Sequence, residues 1–200
     1  MTRRQISAPK DVFATLEALR DKGVPTVPFA TDPRGIAVIG LPAYAVARSG
    51  DGAGVRIAVA RYGDIAPAFA RAAKTGGEVA VMGHVAGHDV ECGVMDHHGT
   101  PVALVPIDAL PRSRHESVPW HLSERQIERV QKIAMKAHRA LGAPAMSLVR
   151  CVVGVRDAHV ASVDLSPALA HGSGFVRSAA VAGFTLPELH KALKTNEAIS

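Results

Sequence analysis

The sequence predicts an α+β protein built as two lobes with antiparallel sheets. One reason is the order of elements, which runs helix, hairpin, helix, sheet, long helix, sheet and short helices, without the regular strand–helix alternation of a parallel sheet. A second is composition: 200 residues, 48% hydrophobic and 20% charged, can bury one substantial core or two small ones. The third is a strongly specified helix from Ser123 to Gly142 that separates two strand-rich stretches.

The first helix opens at Ser7-Ala8-Pro9, with a capping residue and a proline tolerated in the first turn. Val12, Phe13, Leu16 and Leu19 share its apolar face, and Gly23 closes it. Residues 23–29 must then be extended, because Pro25 and Pro28 cannot sit inside a helix. Tyr44–Arg48 and Val55–Ala60 read as the strands of a hairpin around the glycine-rich turn Ser49–Gly54. Asp64 caps a helix carrying Ile65, Phe69 and Ala72, which Gly76-Gly77 ends.

Val79–Met82 and Val90–Met95 are predicted strands around a Gly87 turn, and Asp96–Gly99 turns the second into Val102–Val105. Residues 79–107 and 145–165 are expected in one antiparallel sheet, with lobe boundaries at 1–77 and 78–200. Residues 108–121 are the longest irregular segment and contain Pro111 and Pro119. In the long helix, Ser123 and Gln126 form a capping box and Leu122 and Ile127 the hydrophobic staple. Ile127, Val130, Ile133, Ala134, Ala137 and Leu141 are its core face.

With aromatics at only 4%, the core must be packed from small side chains, a composition that also suits a GC-rich bacterial source. Cys92 and Cys151 sit apart in apolar runs, so they read as reduced, buried thiols of a cytoplasmic protein. No stretch approaches the roughly 18 apolar residues of a membrane span, and the two N-terminal arginines are followed by no signal-like apolar core. The formal charge of +5 favours anionic ligands but is modest. Arg125, Arg129, Lys132, Lys136 and Arg139 recur on the outer face of the long helix. Lacking interleaved aromatics or a nucleic-acid motif, that stripe reads as a solvated face rather than a nucleic-acid interface. His84 and His88 span a turn, not a helix face, and so do not form a metal pair.

Ala140-Leu141-Gly142 and the two strands after it, down to Asp164, Leu165 and Ser166, resemble the C-terminal lobe of the D-alanine–D-alanine ligase family of the ATP-grasp superfamily. The resemblance extends back to the Gly23–Pro28 strand, where it implies that the family's N-terminal substrate domain is missing. What it implies for fold is ATP-grasp, two lobes flanking a nucleotide-type cleft between the Ser49–Gly54 loop and the strand ending at Asp164. What it implies for the site is read position by position. The phosphate-contacting lysine falls in Ala45-Val46-Ala47, leaving Arg48 as substitute, and Gly50, Gly52 and Gly54 keep the phosphate-covering loop. Met82 and Asp89 stand at the two acids of the adenine-and-ribose hinge; Asp89 retains acceptors for ribose hydroxyls. Arg150 stands where a magnesium-binding Asp is expected, Asp164 is the remaining metal acid, Ser166 replaces an Asn, and Ser173 matches a serine that binds the second substrate's carboxylate.

Magnesium requires hard oxygen ligands, usually carboxylates. With one acid left, the preferred reading is a ligase-like protein that has lost or weakened its catalysis while keeping nucleotide binding. The alternatives are an active ATP-dependent carboxylate–amine ligase using Asp164, Arg48, Arg150 and the glycine loop, and a nucleotide-independent binding or regulatory module. ATP is the cofactor implied, with magnesium weakly supported; a protein partner or a second copy of the chain is the further partner class.

Overall fold

A computed structural model describes residues 12–47, 56–74, 78–97, 100–109 and 121–197. Their contacts divide into two compact units, one drawn from residues 12–17 and 26–85, the other from residues 18–25 and 86–197.

The first unit is a four-stranded antiparallel sheet of β1 (Phe29–Ala30), β2 (Ala43–Ala47), β3 (Arg56–Val59) and β4 (Val79–Gly83), ordered β1-β4-β2-β3. The predicted hairpin is β2–β3, registered from Ala43 opposite Val59 to Val46 opposite Arg56. The helix predicted after Asp64, α3 (Ile65–Ala73), packs through Ala68 and Ala72 on Ala43, Ala45 and Val59. Most of these buried side chains are alanine or valine, which is how a chain so poor in aromatics closes this core. Between β1 and β2 lies the short α2 (Ile36–Ile39), with Ile36 in the same core. Phe13, from α1 (Val12–Asp21), meets Phe29 with ring centroids 5.8 Å apart.

One expectation is corrected here. Val79–Gly83 does not join the sheet of Val90–Met95; it pairs with β2 from Ala43 opposite Gly83 to Ala47 opposite Val79. Ala80, Val81 and Met82 are buried in succession, as suits a central strand covered on both faces, and the small side chains of β2 supply the matching neighbour. Gly87 consequently serves close approach rather than a hairpin turn: a Cβ there would lie 2.6 Å from the Val153 carbonyl oxygen.

The second unit is built on β5 (His88–His97), β6 (Thr100–Ala103), β7 (Ile107–Asp108), β8 (Met146–Val153) and β9 (Ala158–Asp164), ordered β6-β5-β8-β9 with β7 paired to β5. Every pairing is antiparallel. Alternation along β5 and β8 sends Val90, Cys92, Val94, Val149, Cys151 and Val153 to one buried face. The long helix α4 (Glu124–Leu141) has its own buried face of Val130, Ile133, Ala134, Ala137 and Leu141, and packs on this sheet. Its start is the predicted capping box, with Ser123 N–H donating to Gln126 Oε1 at 3.0 Å. Its end is Gly142 at φ +63°, which lets the Ala143 N–H reach the His138 carbonyl. Both cysteines are free and fully buried, as expected; burial pushes the Cys151 thiol up to about 12 and Cys92 well above the usual range. No described helix is long and apolar enough to cross a membrane.

Much of the basic stripe on α4 serves this unit. Lys136 Nζ donates to the Gly23 carbonyl at 2.6 Å, in the turn after α1, while Lys22 Nζ reaches the Ala140 carbonyl and so helps to cap the C-terminal end of α4. Arg129 binds the Val155 carbonyl and Lys132 pairs with Glu128.

His138, on the core face of α4 and only 3% exposed, was not singled out by the pattern of apolar residues. Its Nδ1 lies 2.9 Å from Ser147 Oγ. Burial lowers its pKa from the ordinary 6.5, opposed by the nearby Asp96 carboxylate and assisted by Arg139. A base with a lowered folded pKa binds fewer protons in the native state, so stability falls as pH drops below 6.5 toward the folded value. Urea midpoints should therefore fall between about pH 7 and about pH 5, and fall less in His138→Gln. Equal slopes in the two proteins would remove His138 as the cause.

Candidate functional site

The polar face of the second sheet carries the candidate site. Asp89 and Glu91 alternate with the buried valines of β5 and so share the opposite face. Register puts Arg150 of β8 opposite Glu91, Ser162 of β9 opposite Arg150, and Asp164 opposite Leu148. Arg150 does not cross straight to Glu91. Its Nη2 lies 3.2 Å from Asp89 Oδ2 and its Nε 3.4 Å from Asp89 Oδ1, a two-point grip on the diagonal neighbour.

Over this face lies α5 (Gly174–Val181). Two glycines permit the close approach: a Cβ on Gly174 would sit 2.3 Å from Glu91 Oε2, and one on Gly93 would crowd Leu104 and the Phe175 ring. Ser178 Oγ accepts from the Gly93 N–H at 3.1 Å and donates to the Val105 carbonyl at 2.7 Å. Arg177, one helical turn from the α5 start, places Nη2 3.5 Å from Glu91 Oε2 and donates to the Asp108 carbonyl at 3.2 Å. Below α5, the Asp108 side chain lies 3.5 Å from His121 Nε2, and the His121 and His88 rings are 4.2 Å apart.

Burial raises the Glu91 pKa above its ordinary 4.5; Arg177 and then Arg150 oppose that rise, and Asp89 reinforces it. The arrangement is thus two carboxylates on one strand matched by two guanidiniums, one from the next strand and one from the helix above.

Of the residues singled out by sequence, Asp89 and Arg150 are brought into direct contact. Asp164 ends β9, exposed, with Oδ1 accepting from the Ser166 N–H at 2.9 Å. Ser173 is the N-cap residue of α5, its hydroxyl donating to the Ala168 carbonyl at 2.6 Å. Met82 is 2% exposed, in the middle of β4 in the first unit. Arg48, Gly50, Gly52 and Gly54 lie outside the described residues. Sequence reasoning missed Glu91 and Arg177. The available signal was Glu91's two-residue spacing from Asp89 on a strand; nothing local marked Arg177 as its partner.

Magnesium does not fit the described donor set. Position 150 presents a guanidinium where a hard oxygen is needed, and one oxygen of Asp164 is engaged by a backbone N–H. Among the described residues, no group of three or more His, Cys, Asp or Glu is placed to hold a metal ion.

No protein-family model matches the chain. A D-alanine–D-alanine ligase of Leptospira interrogans is 25% identical over 120 residues, a match covering 52% of this chain and 34% of that protein. Among solved structures, the D-alanine–D-alanine ligase from Coxiella burnetii superposes with a TM-score of 0.79 at 19% identity, over 94% of this chain and 58% of that one. The Bacillus anthracis D-alanine–D-alanine ligase complexed with ATP gives 0.76 at 18% identity, over 95% and 66%. The chain thus spans less than two thirds of the length of these relatives. Its fold is the α+β ATP-grasp fold of the D-alanine–D-alanine ligases, with antiparallel sheets, as the sequence predicts.

Proposed function

We propose that this chain, which carries the fold of the D-alanine–D-alanine ligases, is a ligase-like protein whose carboxylate–amine ligation is lost or strongly weakened and whose nucleotide binding is weak and independent of magnesium. The observation that supports this reading is the Arg150–Asp89 pair at 3.2 Å. Forming an acyl phosphate from ATP demands charge compensation at the transferring phosphoryl group, supplied by groups held ready for it. Arg150 and Asp89, the two polar residues best matched to phosphate and ribose, are instead engaged with each other. ATP is the nucleotide favoured, because the Bacillus anthracis relative was solved with it.

Phosphate release from ATP with D-alanine and magnesium should stay at background. Release well above background and abolished by Asp164→Ala would overturn the reading in favour of an active ligase. Calorimetric titration with ATP, with and without magnesium, should give the same weak affinity.

A further inference from the structure

We propose that Arg150 is an internal cation standing in for a divalent metal among the carboxylates of β5, so that this site is closed to metal ions. The proposal deepens the functional reading for the same residues. It concerns what neutralises the strand, and holds whether or not ligation survives.

Asp89 and Glu91 are two residues apart on the same face of one strand, a separation of about 7 Å along the backbone. Two carboxylates so placed on a partly buried sheet repel one another unless a cation lies between or beside them. Two kinds of cation can serve. A divalent ion would need further oxygen ligands, and the facing position on β8 supplies none, because it is Arg150 itself. The guanidinium serves without further ligands: its fork spans both oxygens of Asp89, and its charge is felt by Glu91. Arg177 completes the match from α5, at 3.5 Å from Glu91. Two acids and two arginines leave no unmatched charge in this set, and a metal ion entering it would face two guanidiniums. Arginine suits the role better than lysine, since its planar fork grips a carboxylate at two points and is never deprotonated.

The test reads metal binding rather than turnover. In the native chain, Mn2+ titration followed by electron paramagnetic resonance should show no bound ion, and Mg2+ should leave Tm unchanged. In Arg150→Asp, the guanidinium is gone and the facing position supplies the missing oxygen ligand; Mn2+ should now bind, and about 10 mM Mg2+ should raise Tm by roughly 3 °C. Arg150→Lys, which keeps a cation, should stay indifferent to metal. Should Arg150→Asp precipitate, Arg150→Asn supplies a neutral oxygen in its place and should bind Mn2+ above the native level; indifference to metal there would overturn the proposal. Native-chain binding of Mn2+ that disappears in Asp89→Asn would also overturn it, as would an Arg150→Asp protein as indifferent to metal as the native one. A metal-binding chain without ATP turnover would refute this inference and leave the functional reading standing. Turnover in a chain whose Asp89–Arg150 site takes no metal would do the reverse.

Discussion

Truncating Phe175 to alanine should lower the unfolding free energy by about 3–5 kcal/mol, a large share of the ~5–15 kcal/mol that holds a typical domain folded. Phe175 is fully buried in the cluster of Met95, Leu104, Val176, Ala179 and Leu189. Its ring lies against Gly93, where even a single Cβ would approach Phe175 Cδ2 to 3.2 Å. The backbone on that side is fixed by the β5–β6 and β5–β8 ladders, so the void can close only partially. The loss should appear as a lower urea midpoint with the slope of the transition unchanged. The same ring anchors α5 to the sheet, and α5 carries Arg177 and Ser178 to the candidate site. Filling the void from the strand side gives an independent check. Gly93→Ala in the Phe175→Ala background should recover part of the loss, whereas Gly93→Ala alone should destabilise, because Leu104 and Phe175 would both have to move. A Phe175→Ala loss below about 1 kcal/mol would mean that α5 is not held by this contact.

Local signals carried most of the fold. Ser123, Gln126 and Gly142 each occupy the cap position that their chemistry predicts, since capping is decided within one turn of chain. The Ala43–Val46 and Arg56–Val59 pairing was equally legible, from two apolar runs around one glycine-rich segment. Val79–Gly83 went to the wrong sheet because a short apolar run says that a strand is buried without saying beside which neighbour; its partner, Ala43–Ala47, lies more than thirty residues earlier. The site divides along the same line. Asp89, Arg150 and Asp164 could be picked out by their chemistry and position in the sequence. That Arg150 would reach the diagonal carboxylate, that Arg177 would meet Glu91, and that Asp164 would close its own turn on Ser166 are outcomes of register and packing. His138 illustrates the remaining failure: the buried stripe of α4 includes a polar residue whose partner, Ser147, lies on the next strand.

Replacing Arg177 with leucine should cost about 2–3 kcal/mol near neutral pH and much less in acid. The Arg177 and Glu91 side chains keep only 17% and 19% exposure, so removing the cation leaves a poorly hydrated negative charge and also strips the Asp108 carbonyl of its donor. Burial already raises the Glu91 pKa above 4.5 in the folded chain, and Arg177 is the largest influence opposing that rise. An acid with a raised folded pKa contributes stability that is fully present below 4.5 and lost as pH climbs through the folded value. Without Arg177 the folded value rises further, so the variant should lose stability over a wider range above 4.5 than the native chain does. The native-minus-variant difference should accordingly be small at the acid end and grow toward neutrality, while the opposite slope from His138 cancels because both proteins share it. Adding Glu91→Gln should flatten the difference, since a neutral amide has no charge to compensate. Urea unfolding of the native chain, Arg177→Leu and the double variant at several pH values decides the matter. A difference that stayed constant across pH would assign the loss to the Asp108 carbonyl and to packing, and would take Arg177 out of the charge balance on β5.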